Sequence, residues 1–547
     1  MVDDTARGNG KRVSNSATAA PKGSGVSEYP GANYWLIAIL VSVATFMEVL
    51  DTTIANVVLR YISGGLAVSL DEASWVVTSY LVANSIVLCA SSWLVKIFGR
   101  KRFFMACIAL FSVSSLLCGM DWDLQSLLVF RVMQGLAGGG MTPVAQSILA
   151  AAFPPEKRSQ GFAVYGVAVV VAPAVGPALG GWLADAYSWH WCFLINVPVG
   201  IASLISVGLL LPASKKEDKE RRKLRKKGLS FDAVGFLLVA TFLGALEVVL
   251  DRGQEDDWLG SHFIDSFAIT SLVALVLFIP WELLRKDPLI DLRMLVGRQF
   301  GTCFLVMLGT GAIMISTVQF LPQLLQTNYG YTATLAGLAV TPGGAVTMVG
   351  MFVVGRLGFV QPKYLIAIGG VIVALAMYDL TRIDSDLNFG FFAWSRVYVG
   401  IGLPFLFIPL TAASYDGIPA DKTDQASALI NVARNFGGSI GVSTAQTVLA
   451  RREQVHQSNL VEHVGSWNPY YTQTLNQAQG YFATKPLGGP SASQTAIAWI
   501  GQQVQIQASV LAYIDVFLTL LLIAVAVSML ALTLRTVRPG AAAQGAG

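Results

Sequence analysis

Residues 34–58 read YWLIAILVSVATFMEVLDTTIANVV, an apolar stretch whose only charged residues are Glu48 and Asp51. A run of about 20 apolar residues is long enough for a helix to cross the hydrocarbon core of a membrane. An ionised side chain at this depth is costly, so it is retained where it faces a cavity, an ion path or a partner charge. The stretch therefore predicts a transmembrane helix with a polar site on one face.

The composition of the whole chain agrees with this interpretation. Hydrophobic residues make up 54% of the 547 residues and charged residues 13%, and the mean hydropathy is +0.59. A soluble domain of this size needs more polar surface, so the composition indicates an integral membrane protein. The apolar stretches lack the short alternation of barrel strands, which predicts an all-α fold. Fourteen transmembrane helices are predicted, at 34–58, 75–95, 103–120, 124–150, 161–184, 191–211, 233–250, 263–283, 300–325, 333–354, 364–382, 389–415, 425–449 and 513–534.

The Lys and Arg residues are distributed unequally between the two sides of these spans. If the N-terminus is cytoplasmic, 28 of the 37 lie on the cytoplasmic side, including the basic run 215–227. The positive-inside rule therefore predicts a multi-pass protein with both termini in the cytoplasm. Because the basic residues border membrane spans and form no face of a folded domain, no nucleic-acid partner is expected.

An internal repeat is visible at an offset of 265 residues. The matching pairs are Arg131 and Arg396, Gly135 and Gly400, Pro154 and Pro419, Glu156 and Asp421, Lys157 and Lys422, Gln160 and Gln425, and Gly176 and Gly441. Predicted helices four and five thus recur as twelve and thirteen with the same orientation, which indicates two halves related by an axis along the membrane normal. A spacing of eight helices implies two extra helices between two six-helix halves.

These observations predict a domain organisation along the chain. The predicted segments are a disordered cytoplasmic tail at 1–33, an N-terminal six-helix half at 34–211, a basic cytoplasmic linker at 212–232, two inserted helices at 233–283, a C-terminal six-helix half at 300–534 that includes an outer loop at 451–512, and a cytoplasmic tail at 535–547.

Several motifs occur in an order that resembles a known family. The segments LDTTIANV at 50–57, RVMQG at 131–135 and APAVGPALGG at 172–181 resemble the motifs of helices one, four and five in the fourteen-helix drug/proton antiporters of the major facilitator superfamily. INVPVG at 195–200 and LPQLLQ at 321–326 are similar to segments of the EmrB-like pumps. One departure is Lys96, which occupies the place of an acidic residue usual in the loop between helices two and three.

The resemblance implies a major facilitator fold and a proton-coupled antiporter that exports hydrophobic or amphipathic drugs across the bacterial inner membrane. It further implies that the pump works in a tripartite system with a periplasmic adaptor (membrane fusion protein) and an outer-membrane channel. The 451–512 loop, with its interspersed aromatic residues, is the candidate contact for the adaptor. A flexible loop over the outer mouth, without a partner, is the alternative.

The charged residues within spans are the candidates for proton coupling. Asp51 and Arg131 each lie about eight residues from the outer face, roughly 12 Å deep, so they can form a charge pair. Protonation of Asp51 would weaken its attraction for Arg131 and bias a switch between outward-open and inward-open states. Glu48 lies one helical turn deeper on the same face. A static structural pair is the alternative.

Two further groups of residues are candidate functional sites. The predicted substrate cavity includes Glu48, Gln134, Arg396 and Arg434. The residues Pro173, Gly176, Pro177, Gly180 and Gly181 give helix five a face free of large side chains, which predicts a hinge or leak seal; close packing alone is the alternative. Glu247, near the outer end of helix seven, is expected to reach the membrane interface.

Other classes of function have less support from the residues. The chain has no phosphate-binding GxxxxGK[ST] motif, so protons are expected as the coupling ion and no cofactor is predicted. The five cysteines lack metal-binding spacing, and no nucleophile with a base and an orienting residue occurs at a recognisable spacing, so neither a metal site nor an enzyme is expected. A dedicated exporter or importer of one metabolite, such as a siderophore or fatty acid, and a non-transporting membrane receptor remain open.

Overall fold

The computed structural model describes residues 33–154, 157–212, 219, 221, 232–285, 288–384, 387–419, 422–484 and 492–536. Most of the predicted tails and of the basic linker, together with Glu156 and Asp421 of the repeat, lies outside this part of the chain. All regular secondary structure in the described residues is helical, which confirms the predicted all-α class.

The helices follow the order of the predicted spans. They are α1 (Tyr34–Val57), α2 (Leu59–Leu66), α3 (Leu70–Phe98), α4 (Arg100–Cys118), α5 (Leu124–Ala152), α6 (Arg158–Ala186), α7 (Trp191–Leu194), α8 (Asn196–Leu210), α9 (Ala233–Arg252), α10 (His262–Leu284), α11 (Arg293–Val296), α12 (Arg298–Asn328), α13 (Ala333–Arg356), α14 (Pro362–Leu380), α15 (Phe389–Ala413), α16 (Thr423–Val461), α17 (Pro469–Ala483) and α18 (Ala492–Leu532), with a 3₁₀ turn at Trp258–Gly260. We call α1–α8 the first half, α9 and α10 the inserted pair, and α12–α18 the second half.

The number of membrane-crossing helices differs from the prediction. Within the described residues, twelve helical segments are long and apolar enough to cross a membrane, with α7 and α8 counted together. Helices α5 and α16 are 29 and 39 residues long but are not among the twelve, so the count of fourteen is not confirmed. Both helices bury polar side chains, including Arg131, Gln146, Asn431 and Arg434. These side chains meet protein partners instead of lipid, so a strongly apolar sequence is not required there.

The two halves share a packing contact at equivalent positions of the repeat. Helix α3 packs against α5, and α13 packs against α15. A Cβ atom at Gly135 would overlap the carbonyl oxygen of Tyr80, and one at Gly400 would overlap the carbonyl oxygen of Gly343. The absence of a side chain therefore lets two backbones touch at both places. Sequence repeat and structural repeat coincide at these glycines.

The inserted pair is attached to the first half and reaches the second. Helices α9 and α10 pack against each other, and α9 contacts both α3 and α16. At one end of α9, the hydroxyl of Thr78 donates a hydrogen bond to Asp251, and the Arg252 guanidinium forms an ion pair with Asp71 at 2.6 Å. These contacts hold the end of α9 against the first turns of α3, so α9 forms a wall beside the junction of the two halves.

A polar cluster joins the halves at the end where the α3–α4 connection lies. The Arg100 Nε atom is 2.9 Å from Asp424 Oδ1, and the hydroxyl of Ser147 donates to the same carboxylate. Ser427 Oγ donates a hydrogen bond of 2.6 Å to the carbonyl oxygen of Pro143. Because α4 and α5 belong to the first half and α16 to the second, these contacts close this end of the molecule.

In its described residues, the segment 451–512, predicted as an outer loop, is mainly helical. Helix α16 continues to Val461, α17 covers Pro469–Ala483, and the 41-residue helix α18 begins at Ala492. The polar composition that suggested a loop is equally typical of a helix exposed to water. Asp515 of α18 accepts a hydrogen bond of 2.6 Å from Arg452, which ties α18 to the extended part of α16.

The polar cluster predicts how the closed end responds to a substitution. Asp424→Asn removes the carboxylate that pairs with Arg100, whose side chain is only 7% exposed, so the halves should separate more often at this end. Spin labels at the exposed positions Phe98 and Phe359 should then show a larger population at long distances by double electron–electron resonance.

Lys422→Met is the matched control for this experiment. It breaks the ion pair with Asp291, but the Lys422 side chain is 41% exposed and its charge is already screened by water. We expect its distance distribution to match that of the unmodified chain. An unchanged distribution in Asp424→Asn would contradict the assigned role of the cluster.

Candidate functional site

Asp51 and Arg131 form an ion pair in the interior of the first half. Arg131 Nη1 lies 2.7 Å from Asp51 Oδ2, and both side chains are 0% exposed. The start of α5 sets the depth of Arg131, because Asp123 caps this helix by accepting a hydrogen bond of 2.7 Å from the Ser126 backbone amide. Arg131 follows two helical turns later, level with Asp51 on α1.

Two amide side chains complete the surroundings of the Asp51 carboxylate. Gln134 Nε2 donates to Asp51 Oδ1 at 2.9 Å, and Asn196 Nδ2 donates to the same oxygen at 2.7 Å. Both amides also donate to the hydroxyl of Ser115. The carboxylate thus accepts three hydrogen bonds, which compensate its removal from water.

The guanidinium of Arg131 is held by further contacts from α3 and the α7 region. Its Nε atom donates to the carbonyl oxygen of Val76 at 3.0 Å, and Nη1 also donates to Gln134 Oε1 at 2.7 Å. The Tyr80 and Phe193 rings lie 4.4 Å and 5.4 Å from its central carbon. Cation–π contacts with these rings stabilise the positive charge of Arg131 in addition to its ion pair with Asp51.

Glu48 lies one turn from Asp51 on α1 but faces a different environment. Its Oε2 atom accepts a hydrogen bond of 2.6 Å from Thr142 Oγ1 on α5. Glu48 also lines a cavity of about 280 Å³, whereas Asp51 does not. The two carboxylates therefore form adjacent sites, one within the cavity wall and one sealed behind it.

The cavity lies between the two halves and is bordered by the inserted pair. Its wall includes residues of α1, α3, α6, α9, α12 and α16. The exposed Asn56 and Glu255 mark its mouth, at the end of the molecule opposite to the Arg100–Asp424 cluster. The structure is therefore closed at one end and open at the other. With the topology predicted from the basic residues, the open end faces outward.

The structure brings together only part of the predicted substrate cavity. Glu48 and Arg434 line it, but Gln134 and Arg396 do not, which corrects the prediction for these two residues. Gln134 is turned toward Asp51 and Arg131. Arg396 is buried where α15 touches α13 at Gly343, and it forms no ion pair with a described residue.

The predicted hinge residues lie in α6, which is one continuous helix despite Pro173 and Pro177. A Cβ atom at Gly176 would be 2.9 Å from the Cβ of Thr53, and one at Gly180 would be 3.0 Å from Ile54 Cγ2. Both glycines thus face α1, and Gly181 is buried in the same helix. Pro173 lines the cavity.

The other side of α6 meets the second half. A Cβ atom at Gly344 of α13 would be 2.8 Å from Ala174 Cβ, and one at Gly337 would be 2.5 Å from the Ala178 backbone nitrogen. Helix α6 is therefore packed through small residues on both sides, between α1 of its own half and α13 of the other. This geometry suits sliding between the halves, and it suits close packing equally.

Three residues of the site are missed by the sequence interpretation. Asn196 and Thr142 are uncharged polar residues within apolar helices, and that polarity was the available signal. Glu247 was expected at the membrane interface, but it is 2% exposed and lines the cavity. Its position near the end of α9 gave no indication that α16 covers it.

Comparison with known proteins agrees with this arrangement. The profile of the Major Facilitator Superfamily matches residues 41–442. The chain belongs to the major facilitator superfamily. Members of this family are transporters, which supports a transport role and not an enzymatic one.

Three curated relatives cover most of the chain. It is 35% identical to the multidrug export protein EmrB of Escherichia coli K12 over 489 residues, or 89% of this chain and 92% of that protein. It is 35% identical to the fatty acid resistance protein FarB of Neisseria gonorrhoeae, over 83% and 88% of the two chains. The colistin resistance protein EmrB of Acinetobacter baumannii is 28% identical, over 90% and 95%.

Solved structures support the same fold at low sequence identity. The human organic anion transporter MFSD10 superposes with a TM-score of 0.53 at 12% identity, covering 90% of this chain and 99% of its own. The proton:xylose symporter XylE has a TM-score of 0.53 at 13% identity, covering 87% and 94%. The predicted major facilitator fold is thereby confirmed.

The α6 geometry generates a test of the hinge hypothesis. In Gly176→Val the new side chain would collide with Thr53, so α1 and α6 could not keep their present spacing. If the contact must slide, transport per molecule of folded protein should fall about tenfold or more, while melting temperature and expression change less. Transport is measured as fluorescent dye efflux from proteoliposomes with an imposed proton gradient.

Gly501→Val provides the control, since a Cβ atom at Gly501 meets nothing within 4 Å. This variant should transport normally. If Gly176→Val also transports normally, the packing interpretation of the motif is the better one.

Proposed function

We propose that this chain is a proton-coupled antiporter that exports hydrophobic or amphipathic drugs across the bacterial inner membrane, with both termini in the cytoplasm. The observation that carries the proposal is the fully buried Asp51–Arg131 pair, placed directly behind a cavity that Glu48 lines. A carboxylate that exchanges a salt bridge for a proton is the chemistry that proton coupling requires.

The sealed pair supports a switch in which protonation of Asp51 loosens three helices. With Asp51 ionised, its carboxylate binds Arg131 of α5 and Asn196 of α8, and so holds both helices against α1. A proton on Asp51 removes the Coulomb attraction, while Arg131 keeps its contacts to the Val76 carbonyl and the Tyr80 ring. These neutral contacts offset part of the cost of separating the guanidinium from the Asp51 carboxylate.

Glu48 is the proposed entry point for the proton. It faces the cavity, and it lies one helical turn from Asp51, so a proton arriving from the open end meets Glu48 first. A bound substrate would shield this carboxylate from the proton. Competition between the proton and the substrate at Glu48 is the simplest basis for exchanging a proton for a substrate molecule.

The names of the relatives support the proposed direction and substrate class. One is named a multidrug export protein and another a fatty acid resistance protein. Both names fit export of amphipathic compounds by this chain.

Export through a tripartite system is part of the proposal. On and beside α17, Trp467, Tyr470 and Tyr481 are 72%, 80% and 59% exposed. Large exposed aromatic side chains are typical anchors of protein interfaces. We infer that the outer part of α16–α18 contacts a periplasmic adaptor, which leads to an outer-membrane channel.

Asp51→Asn tests the coupling step. Asparagine has the same shape but cannot titrate, so dye efflux driven by a pH gradient in proteoliposomes should be lost, at least a hundredfold below the unmodified chain. Substrate binding to the purified variant should persist, which shows that it is folded. Asp265→Asn, in α10 and away from the site, should pump normally. Gradient-driven efflux by Asp51→Asn at the normal rate would reject Asp51 as the proton carrier.

Replacing residues 469–483 with a short Gly-Ser linker tests the adaptor contact. Transport in vesicles should continue, because α17 contributes nothing to the cavity wall. Resistance of whole cells should be lost, because export there must continue across the outer membrane. If cells with the linker variant are as resistant as cells with the unmodified protein, α17 has no adaptor role. If the variant also loses transport in vesicles, α17 belongs to the transporter's own gate.

A further inference from the structure

The inserted pair contributes a buried carboxylate to the cavity. Glu247 of α9 is 2% exposed and lines the cavity. Its Oε1 atom accepts a hydrogen bond of 2.6 Å from Ser439 Oγ on α16. Glu247 therefore lies at a contact between the inserted pair and the second half, at the cavity wall. The proposed proton coupling through Asp51 and Glu48 does not use Glu247.

The charged residues of the cavity wall are unbalanced. Among the described residues, Glu48, Glu247, Asp251 and Glu255 line the cavity, against a single cationic residue, Arg434. At the mouth, Glu255 forms an ion pair of 2.8 Å with Arg252, which also pairs with Asp71. The deeper Glu48 and Glu247 form no ion pair with a described residue. Glu48 interacts with the Thr142 hydroxyl, with Asn84 and, over a longer distance, with the charge of Arg434, whereas Glu247 accepts its hydrogen bond from the Ser439 hydroxyl.

Arg434 does not offset this excess at Glu247. Its Nη1 atom donates to the Tyr165 hydroxyl at 3.2 Å, and its Nη2 atom donates to Asn435 Oδ1 at 3.1 Å. The guanidinium is thus directed to partners on α6 and α16. A carboxylate in a site of low dielectric without a cation is stabilised by any positive charge that enters.

The remaining wall is suited to the apolar part of such a ligand. Val77 and Leu81 of α3, Met314 and Val318 of α12 and Val442 of α16 line the same cavity. Methionine and aliphatic side chains adapt to ligands of different shape. The wall thus combines adaptable apolar surface with a carboxylate, Glu247, that has no cationic partner among the described residues.

We propose that Glu247 is a substrate-binding residue and that, together with Glu48, it makes the cavity selective for lipophilic organic cations. The inference rests on the proposed function and names the substrate class of that site. It also gives the inserted pair a role beyond joining the halves, since α9 supplies part of the binding surface.

Glu247→Gln tests the proposal by direct binding to the purified full-length protein. The probes are tetraphenylphosphonium, a lipophilic cation, and triphenylphosphine oxide, a neutral compound with the same aromatic groups. The amide can still accept the Ser439 hydrogen bond but carries no charge. We expect the Kd for tetraphenylphosphonium to rise about tenfold or more, while the Kd for triphenylphosphine oxide changes less than twofold.

Two further variants separate charge from structure. Ser439→Ala removes the hydrogen bond and keeps the carboxylate, so tetraphenylphosphonium should bind within about threefold of the unmodified affinity. Glu282→Gln is the matched control, because Glu282 is a buried carboxylate of α10 that is not part of the cavity wall. It should bind both probes normally.

Several outcomes would overturn the proposal. They are no binding of tetraphenylphosphonium to the unmodified protein, equal weakening of both probes by Glu247→Gln, an unchanged cation affinity in that variant, or a Ser439→Ala variant that loses as much affinity as Glu247→Gln. Because binding is measured without a gradient, failure here is distinct from failure of the coupling mechanism, which Asp51→Asn tests.

Discussion

Burial of an ion pair within the span of a membrane helix is the constraint on which the first half depends. Removing an aspartate and an arginine from water is costly, and the cost falls when the two charges are paired and accept or donate further hydrogen bonds. Asp51 meets this condition through Arg131, Gln134 and Asn196, which come from α5 and α8. Helices α1, α5 and α8 must therefore stay in register, and any change in the charge of Asp51 acts on all of them.

The two halves share their packing but not their chemistry. The glycine contacts at Gly135 and Gly400 are equivalent, yet the position that corresponds to Asp51 at the 265-residue offset is the buried Ser316. Arg396, the repeat partner of Arg131, consequently has no carboxylate at this place. The first half carries the buried charge pair, and the second half contributes Arg434 and apolar wall residues. The two halves are thus alike in their scaffold and different in the residues of the site.

The membrane class, the helix order and the Asp51–Arg131 contact could be predicted because each depends on position along a helix. A charged residue in an apolar span needs a partner within the protein, and the partner must lie at the same depth in the membrane. The predicted positions of Gln134 and Glu247 were wrong because they depend on which way each helix is rotated about its axis and on which other helices cover it. The sequence does not specify either. Gln134 faces the ion pair instead of the cavity. Glu247 lies near the end of α9 yet is covered by Ser439 of α16.

Helix α18 has a mechanical consequence. At 41 residues it is about 60 Å long, roughly twice the thickness of the hydrocarbon core, and it packs along α12 and α14 before it extends beyond the apolar region. Such a rod behaves as a lever. A rigid-body rotation of about 15°, of the size known for subunit rearrangements, would move a tip 30 Å from the pivot by roughly 8 Å. A rotation of this size would thus convert a small change within the membrane into a displacement of several ångströms at the end of α18.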